Sequence, residues 1–168
     1  ENPPALATFS GIYDGGGRTI KNLRITKNEG VAALFEQNSG VLQNIHLEDA
    51  WVTGTDSAAL LAGENLGVIS LCSASGRAVG KNAGGLCYYN ALSGTVEESY
   101  GQGAVQASGF AGGIAAINNG SMINCYNTSS VLGASAGGLA SENRGEILTS
   151  YFAGSVKDEA GGAVYSNF

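Results

Sequence analysis

Residues 136–156 read Ala136-Gly137-Gly138-Leu139-Ala140-Ser141-Glu142-Asn143-Arg144-Gly145-Glu146-Ile147-Leu148-Thr149-Ser150-Tyr151-Phe152-Ala153-Gly154-Ser155-Val156. The order is a small corner, a leucine, an asparagine four residues on, a glycine, then single apolar residues among polar ones. The same order recurs upstream and downstream. Leu34, Leu61, Leu86, Ile114, Leu139 and Ala163 form one column, and Asn38, Asn65, Asn90, Asn118, Asn143 and Asn167 follow each by four. Three residues before the anchor stand Val31, Ala58, Ala83, Ala111, Ala136 and Ala160; immediately after it stand Phe35, Ala62, Cys87, Ala115, Ala140 and Val164. Successive asparagines are 27, 25, 28, 25 and 24 residues apart, a period of about 25 that absorbs small insertions such as the two residues before Gly94.

Each unit continues with an apolar position (Leu42, Ile69, Val96, Met122, Ile147), a small or apolar one (Ile45, Cys72, Ser99, Cys125, Ser150) and a β-branched one (Val52, Val79, Val105, Val131, Val156). A variant opening, Phe9 to Gly17, leads into Thr19-Ile20-Lys21-Asn22-Leu23, which aligns with Val41-Leu42-Gln43-Asn44-Ile45. Helical repeats run longer and tolerate little glycine, whereas 27 of these 168 residues are glycine. The period therefore predicts an all-β chain: a single right-handed parallel β-solenoid, three short strands per turn, in roughly seven turns. Handedness follows from the preference of parallel crossovers. In such a fold equivalent residues stack about 4.8 Å apart. The leucine column fills the interior, the small column thins a corner, and the asparagines form a ladder of stacked amides. Residues 1–28 are assigned to a lead-in and first turn, residues 29–168 to the repeat turns of one domain. Phe9 and Trp51 are expected to cover the irregular N-terminal part. Glu1-Asn2-Pro3-Pro4 suggests an excised or mature fragment, and Ser166-Asn167-Phe168 suggests a continuation or cap in a larger protein.

The unit around Leu139 resembles the GLUG repeat of bacterial surface proteins, including immunoglobulin A1 peptidases, and Phe9-Ser10-Gly11-Ile12-Tyr13-Asp14-Gly15-Gly16-Gly17-Arg18-Thr19-Ile20-Lys21-Asn22-Leu23 is similar to the lead-in of such repeats. The resemblance covers residues 5–168. It implies a secreted or wall-attached bacterial protein, large and modular. It implies no catalytic residue here, because the HExxH zinc motif of those peptidases is absent from the sequence.

Composition excludes several classes of partner. A formal charge of −6 with eight basic residues gives no basic face for nucleic acid, and no apolar run is long enough for membrane insertion. Cys72, Cys87 and Cys125 make no CxxC pair, and His46 is the single histidine, so no metal site and no cofactor are expected. Cys72 and Cys125 share a column two turns apart, about 9–10 Å, beyond disulfide reach, and are read as buried thiols with Cys87. Of the acidic residues, Glu64 and Glu142 share a column three turns apart, roughly 14 Å by ladder spacing, too far for paired glycoside hydrolysis. Glu48-Asp49, Glu97-Glu98 and Asp158-Glu159 are read as solvated surface, as is the column Glu29, Asp56, Lys81, Asp158, where Lys81 is expected to relieve Asp56. Asn119-Gly120-Ser121 and Asn127-Thr128-Ser129 match the glycosylation triplet without weight in a bacterial protein.

The exposed feature that stands out is the column Tyr100, Tyr126, Tyr151, continued upstream by Ser73 and His46. It is either a platform for sugar rings or a stack that only stabilises the ladder. The functional expectation is a non-catalytic extracellular or cell-wall-attached module, an adhesin segment, stalk or spacer. The alternatives are a carbohydrate-binding module using the tyrosine stripe, or the accessory region of a secreted peptidase. Expected partners are neighbouring domains of the parent protein and host or cell-surface glycans or proteins.

Overall fold

The structure, a computed structural model, describes residues 6–157 and 162–167. Glu1, Asn2, Pro3, Pro4, Asp158, Glu159, Ala160 and Phe168, named above, lie outside the described residues. All pairings among the described strands are parallel, and they form three sheets. The first has seven strands in the order Leu6–Phe9, Phe35–Asn38, Ala62–Asn65, Cys87–Asn90, Ala115–Asn118, Ala140–Asn143, Val164–Asn167. Its neighbours in space are one repeat apart in sequence, which is the topology of a β-solenoid of about six turns. The third sheet stacks Val31–Ala32, Ser57–Ala59, Asn82–Gly84, Phe110–Gly112 and Ser135–Gly137. The second has 13 strands because most turns contribute two or three segments to it, the exception being the unbroken Val41–Gly54. The turn after Asn90, for example, supplies Thr95–Glu97 and the longer Tyr100–Ala107.

Register ties the columns together. Asn38, Asn65, Asn90, Asn118, Asn143 and Asn167 pair in succession, as do Leu42, Ile69, Val96, Met122 and Ile147. Leu61, Leu86, Ile114 and Leu139 are buried to within 1% of complete. Each buried side chain of this size contributes about 1.5–3 kcal/mol, but only because the turns above and below close over it.

Four columns differ from the sequence alignment. Ala32, not Val31, pairs with Ala58, because the first turn is one residue shorter at this corner. Gly30, not Glu29, lies beside Asp56, which accepts the Gly30 amide at 3.0 Å and forms no ion pair with Lys81. Ala78, not Val79, pairs with Val52 and Val105. The preceding turn carries one extra residue, marked by Asp49 at φ 53°, where the register shifts. In the lead-in, Tyr13 pairs with Leu42 and Ile20 with Leu47, because Gly15, Gly16 and Gly17 bulge out between Asp14 and Arg18. At the N-terminal end Phe9 packs tilted against Phe35 and edge-on against Tyr13, with ring centroids 5.5 and 6.5 Å apart. Trp51 is 47% exposed on the outer face, with the Arg77 guanidinium 5.5 Å from its ring and its Nε1 donating to Thr53 Oγ1 at 3.1 Å.

One column escapes any reading by residue type. Asn44, Leu71, Glu98, Asn124 and Thr149 precede the small column in each turn and all take positive φ, between 46° and 53°. They bend the chain between the two segments of the second sheet. A left-handed conformation costs a side-chain-bearing residue about 1–2 kcal/mol, and asparagine pays least. Leu71→Asn is therefore expected to raise stability by about 0.5–1 kcal/mol, read as a shift in denaturant midpoint; an unchanged or lower midpoint would show that the bend is fixed by other contacts.

Candidate functional site

The outer face of the second sheet carries one row of side chains: Thr19, His46, Ser73, Tyr100, Tyr126 and Tyr151. The parallel register forces this row, and alternation along the strand sends its members outward while Ile20, Leu47, Ala74, Gly101, Asn127 and Phe152 turn inward. The three tyrosine rings are stacked face to face. Tyr100 and Tyr126 lie 4.6 Å apart and Tyr126 and Tyr151 5.3 Å apart, each pair within 7° of parallel. Desolvation first, and the neighbouring phenols second, push the Tyr126 hydroxyl above its ordinary value.

This geometry has a chemical consequence. Faces turned on one another are shielded by each other, so the stack offers solvent its edges and its two terminal faces. The face of Tyr100 opposite Tyr126 looks onto the Ser73 turn, where the row drops from a ring to a hydroxymethyl group. A groove of about 370 Å³ opens there, lined by Thr19, His46, Glu48, Ser73, Ser75, Tyr100 and Gln102 together with backbone. His46 Nδ1 and Ser73 Oγ are 2.8 Å apart on its floor, and the Lys21 ammonium holds Glu48 at 2.9 Å on its rim. Ser75 and Gln102 were not singled out by the sequence, because no repeated position marks a place where a repeated feature stops.

The asparagine row lies inside the solenoid and is closed to ligands. Asn38, Asn65, Asn90 and Asn118 are fully buried. Each Nδ2 donates to the Oδ1 of the next asparagine at 2.7–2.8 Å, from Asn38 through to Asn167. The same amino group also reaches a backbone carbonyl in the following turn, as Asn118 does with Glu146. Glu64 and Glu142 occupy one column separated by Tyr89 and Ile117, and Glu142 is paired with Arg144 at 2.9 Å. Of the two glycosylation triplets, Asn127 is fully buried and donates to the Gly138 carbonyl at 2.7 Å. Among the described residues no group of three His, Cys, Asp or Glu side chains is placed to hold a metal ion.

The three thiols are buried and unpaired. Desolvation raises Cys72 and Cys125 to about 11 and pushes Cys87 up as well. Cys72 Sγ donates to the Ser70 carbonyl, and its own backbone amide donates to Ser99 Oγ at 3.0 Å. Cysteine and serine thus alternate in a slot with room for one small donor. In the folded chain at pH 8 these thiols are expected to react with an aromatic disulfide reagent about 100-fold slower than free cysteine, and all three to react on denaturation. The sign for stability follows: the unfolded thiols release protons near pH 8.5 and the folded ones do not, so stability falls as pH climbs past that point. Fast reaction of the native protein would place the thiols at the surface.

No known protein-family profile matches the chain. It is 36% identical over 95 residues, 54% of its length, to Halomucin of Haloquadratum walsbyi, and spans 1% of that much longer protein. A crystal structure of a Bacteroides ovatus protein, provisionally described as an immunoglobulin A1 protease, superposes with a TM-score of 0.68 at 20% identity, over 91% of this chain and 59% of the other. The likeness to the Bacteroides ovatus protein is one of fold: a parallel β-solenoid accommodates both sequences.

Proposed function

We propose that this chain is a non-catalytic repeat module of an extracellular or cell-wall-attached protein, a stalk, spacer or adhesin segment that holds neighbouring domains at a set distance. The carrying observation is the unbroken ladder: every turn is tied to the next by in-register strand pairing and by a buried amide bond, from Asn38 to Asn167. Six steps of about 4.8 Å make a stiff element roughly 29 Å long. Glu64 and Glu142, the two carboxylates that share a column among the described residues, stand three turns apart, beyond hydrolytic spacing, and the net charge of −6 gives no footing for nucleic acid. The GLUG-like units, and a relative whose name denotes a mucin, a kind of chain that forms extracellular stalks, support the location. The structural neighbour's description favours a second reading, the accessory region of a secreted peptidase whose catalysis lies outside these residues.

Antibodies raised against this domain are expected to label intact cells of the source organism, or its culture medium, with labelling lost after external protease treatment. Labelling that appears only after lysis would overturn the location. A hydrolytic activity of the isolated domain on casein or on a glycan would overturn the non-catalytic reading.

A further inference from the structure

We propose that the groove between Tyr100 and His46 is a binding site for one pyranose ring of a glycan. The inference is independent of the spacer reading, since a stalk with no ligand would satisfy that equally well. Three observations carry it. First, the tyrosine stack stops with the Ser73 turn between it and His46, so the backbones that carry Tyr100 and His46 are two ladder steps apart, about 9.5 Å; the imidazole leans onto Ser73 Oγ at 2.8 Å, and no ring of the row covers the outer face of Tyr100. Second, the free face of Tyr100 carries the negative side of the ring quadrupole, which suits the weakly positive C–H face of a sugar. Third, the groove is rimmed by groups that bond hydroxyls: the Glu48 carboxylate, Ser75, Gln102, Thr19 and the His46–Ser73 pair. A purely aromatic ligand has no use for that rim. The volume of about 370 Å³ is at the small end of ligand sites, enough for one sugar unit with its neighbours in solvent.

Isotope-labelled protein titrated with the methyl glycosides of β-glucose, β-galactose, α-mannose and N-acetyl-β-glucosamine tests this. At least one is expected to shift the resonances of Tyr100, His46 and Gln102 saturably, with a dissociation constant in the millimolar range natural to so small a ligand. Tyr100→Ala is expected to weaken binding about tenfold or more. Ser73→Tyr, which extends the stack by one ring and fills the groove, is expected to abolish binding while leaving the melting temperature unchanged or higher. If no glycoside shifts these residues, or if the shifts survive in Ser73→Tyr, the site is not a sugar site. Binding of phenol without binding of any glycoside would likewise overturn the assignment, leaving a slot for flat rings.

Discussion

Asn118→Asp is expected to cost about 3–5 kcal/mol at pH 7, the penalty for an uncompensated buried charge. The wild-type amide donates to Asn143 Oδ1 at 2.7 Å and to the Gly120 and Glu146 carbonyls at 3.2 Å, and accepts from Asn90. An aspartate keeps the acceptor role and loses every donor, so its second oxygen faces three others without a proton between them. The deficit is expected to shrink on acidification. Burial raises the native carboxyl above the unfolded value near 3.9, the native state holds its proton longer, and stability of the variant falls as pH rises from that value. Asn118→Ala removes the partners without adding charge and is expected to cost about 1–3 kcal/mol at every pH. Urea titrations at pH 4 and pH 7 check both, and equal losses for the two variants at pH 7 would show that the row is wet.

The second large effect is expected at a corner. A Cβ on Gly113 would sit 1.8 Å from Asn127 Nδ2 and 2.0 Å from the Gly138 carbonyl oxygen, the atom to which that Nδ2 donates. Gly113→Ala therefore overfills the interior and leaves a buried amide unpaired, at about 3–5 kcal/mol in combination. The neighbouring turns explain why the site is so tight. Leu60 occupies the matching corner position and is buried beside a turn whose inward residue is Ala74. Where the corner is Gly138, the inward residue is Phe152, whose Cγ would lie 2.2 Å from an added Cβ. Corner and wall thus share one volume, and a bulky residue on one side requires a small one on the other. Gly113→Ala combined with Asn127→Gly is expected to recover much of the loss; a strictly additive double mutant would show that the two positions do not compete.

Much of the fold is visible in the sequence because a parallel in-register stack repeats its chemistry at one period: the same side chain needs the same neighbours above and below. Asn38 to Asn167 and Leu42 to Ile147 are found by alignment alone for that reason. The misplacements fall where a turn gains or loses a residue without changing its end points. Asp49 bulges in one turn and shifts Val79 out of the interior column in favour of Ala78. Gly15 to Gly17 bulge in the lead-in and displace Ile20 from Leu42 to Leu47. The left-handed column is hidden because Leu71, Glu98 and Thr149 are unusual residues for that conformation, held there by the turns on either side. The tyrosine row was legible as a column, but which ring faces are open depends on what stands next in line. That is set by Ser73, a residue unremarkable in any single repeat.

The amide row has a direction. Each carboxamide turns its hydrogens toward the C-terminal end and its oxygen toward the N-terminal end, so their dipoles add head to tail along the axis. Every link polarises the next and strengthens it, by something like 10–30% per bond. A shortened version of the protein should therefore lose more than its proportional share of rigidity, and a further turn can extend the rod only in the orientation that offers an oxygen to the last amino group.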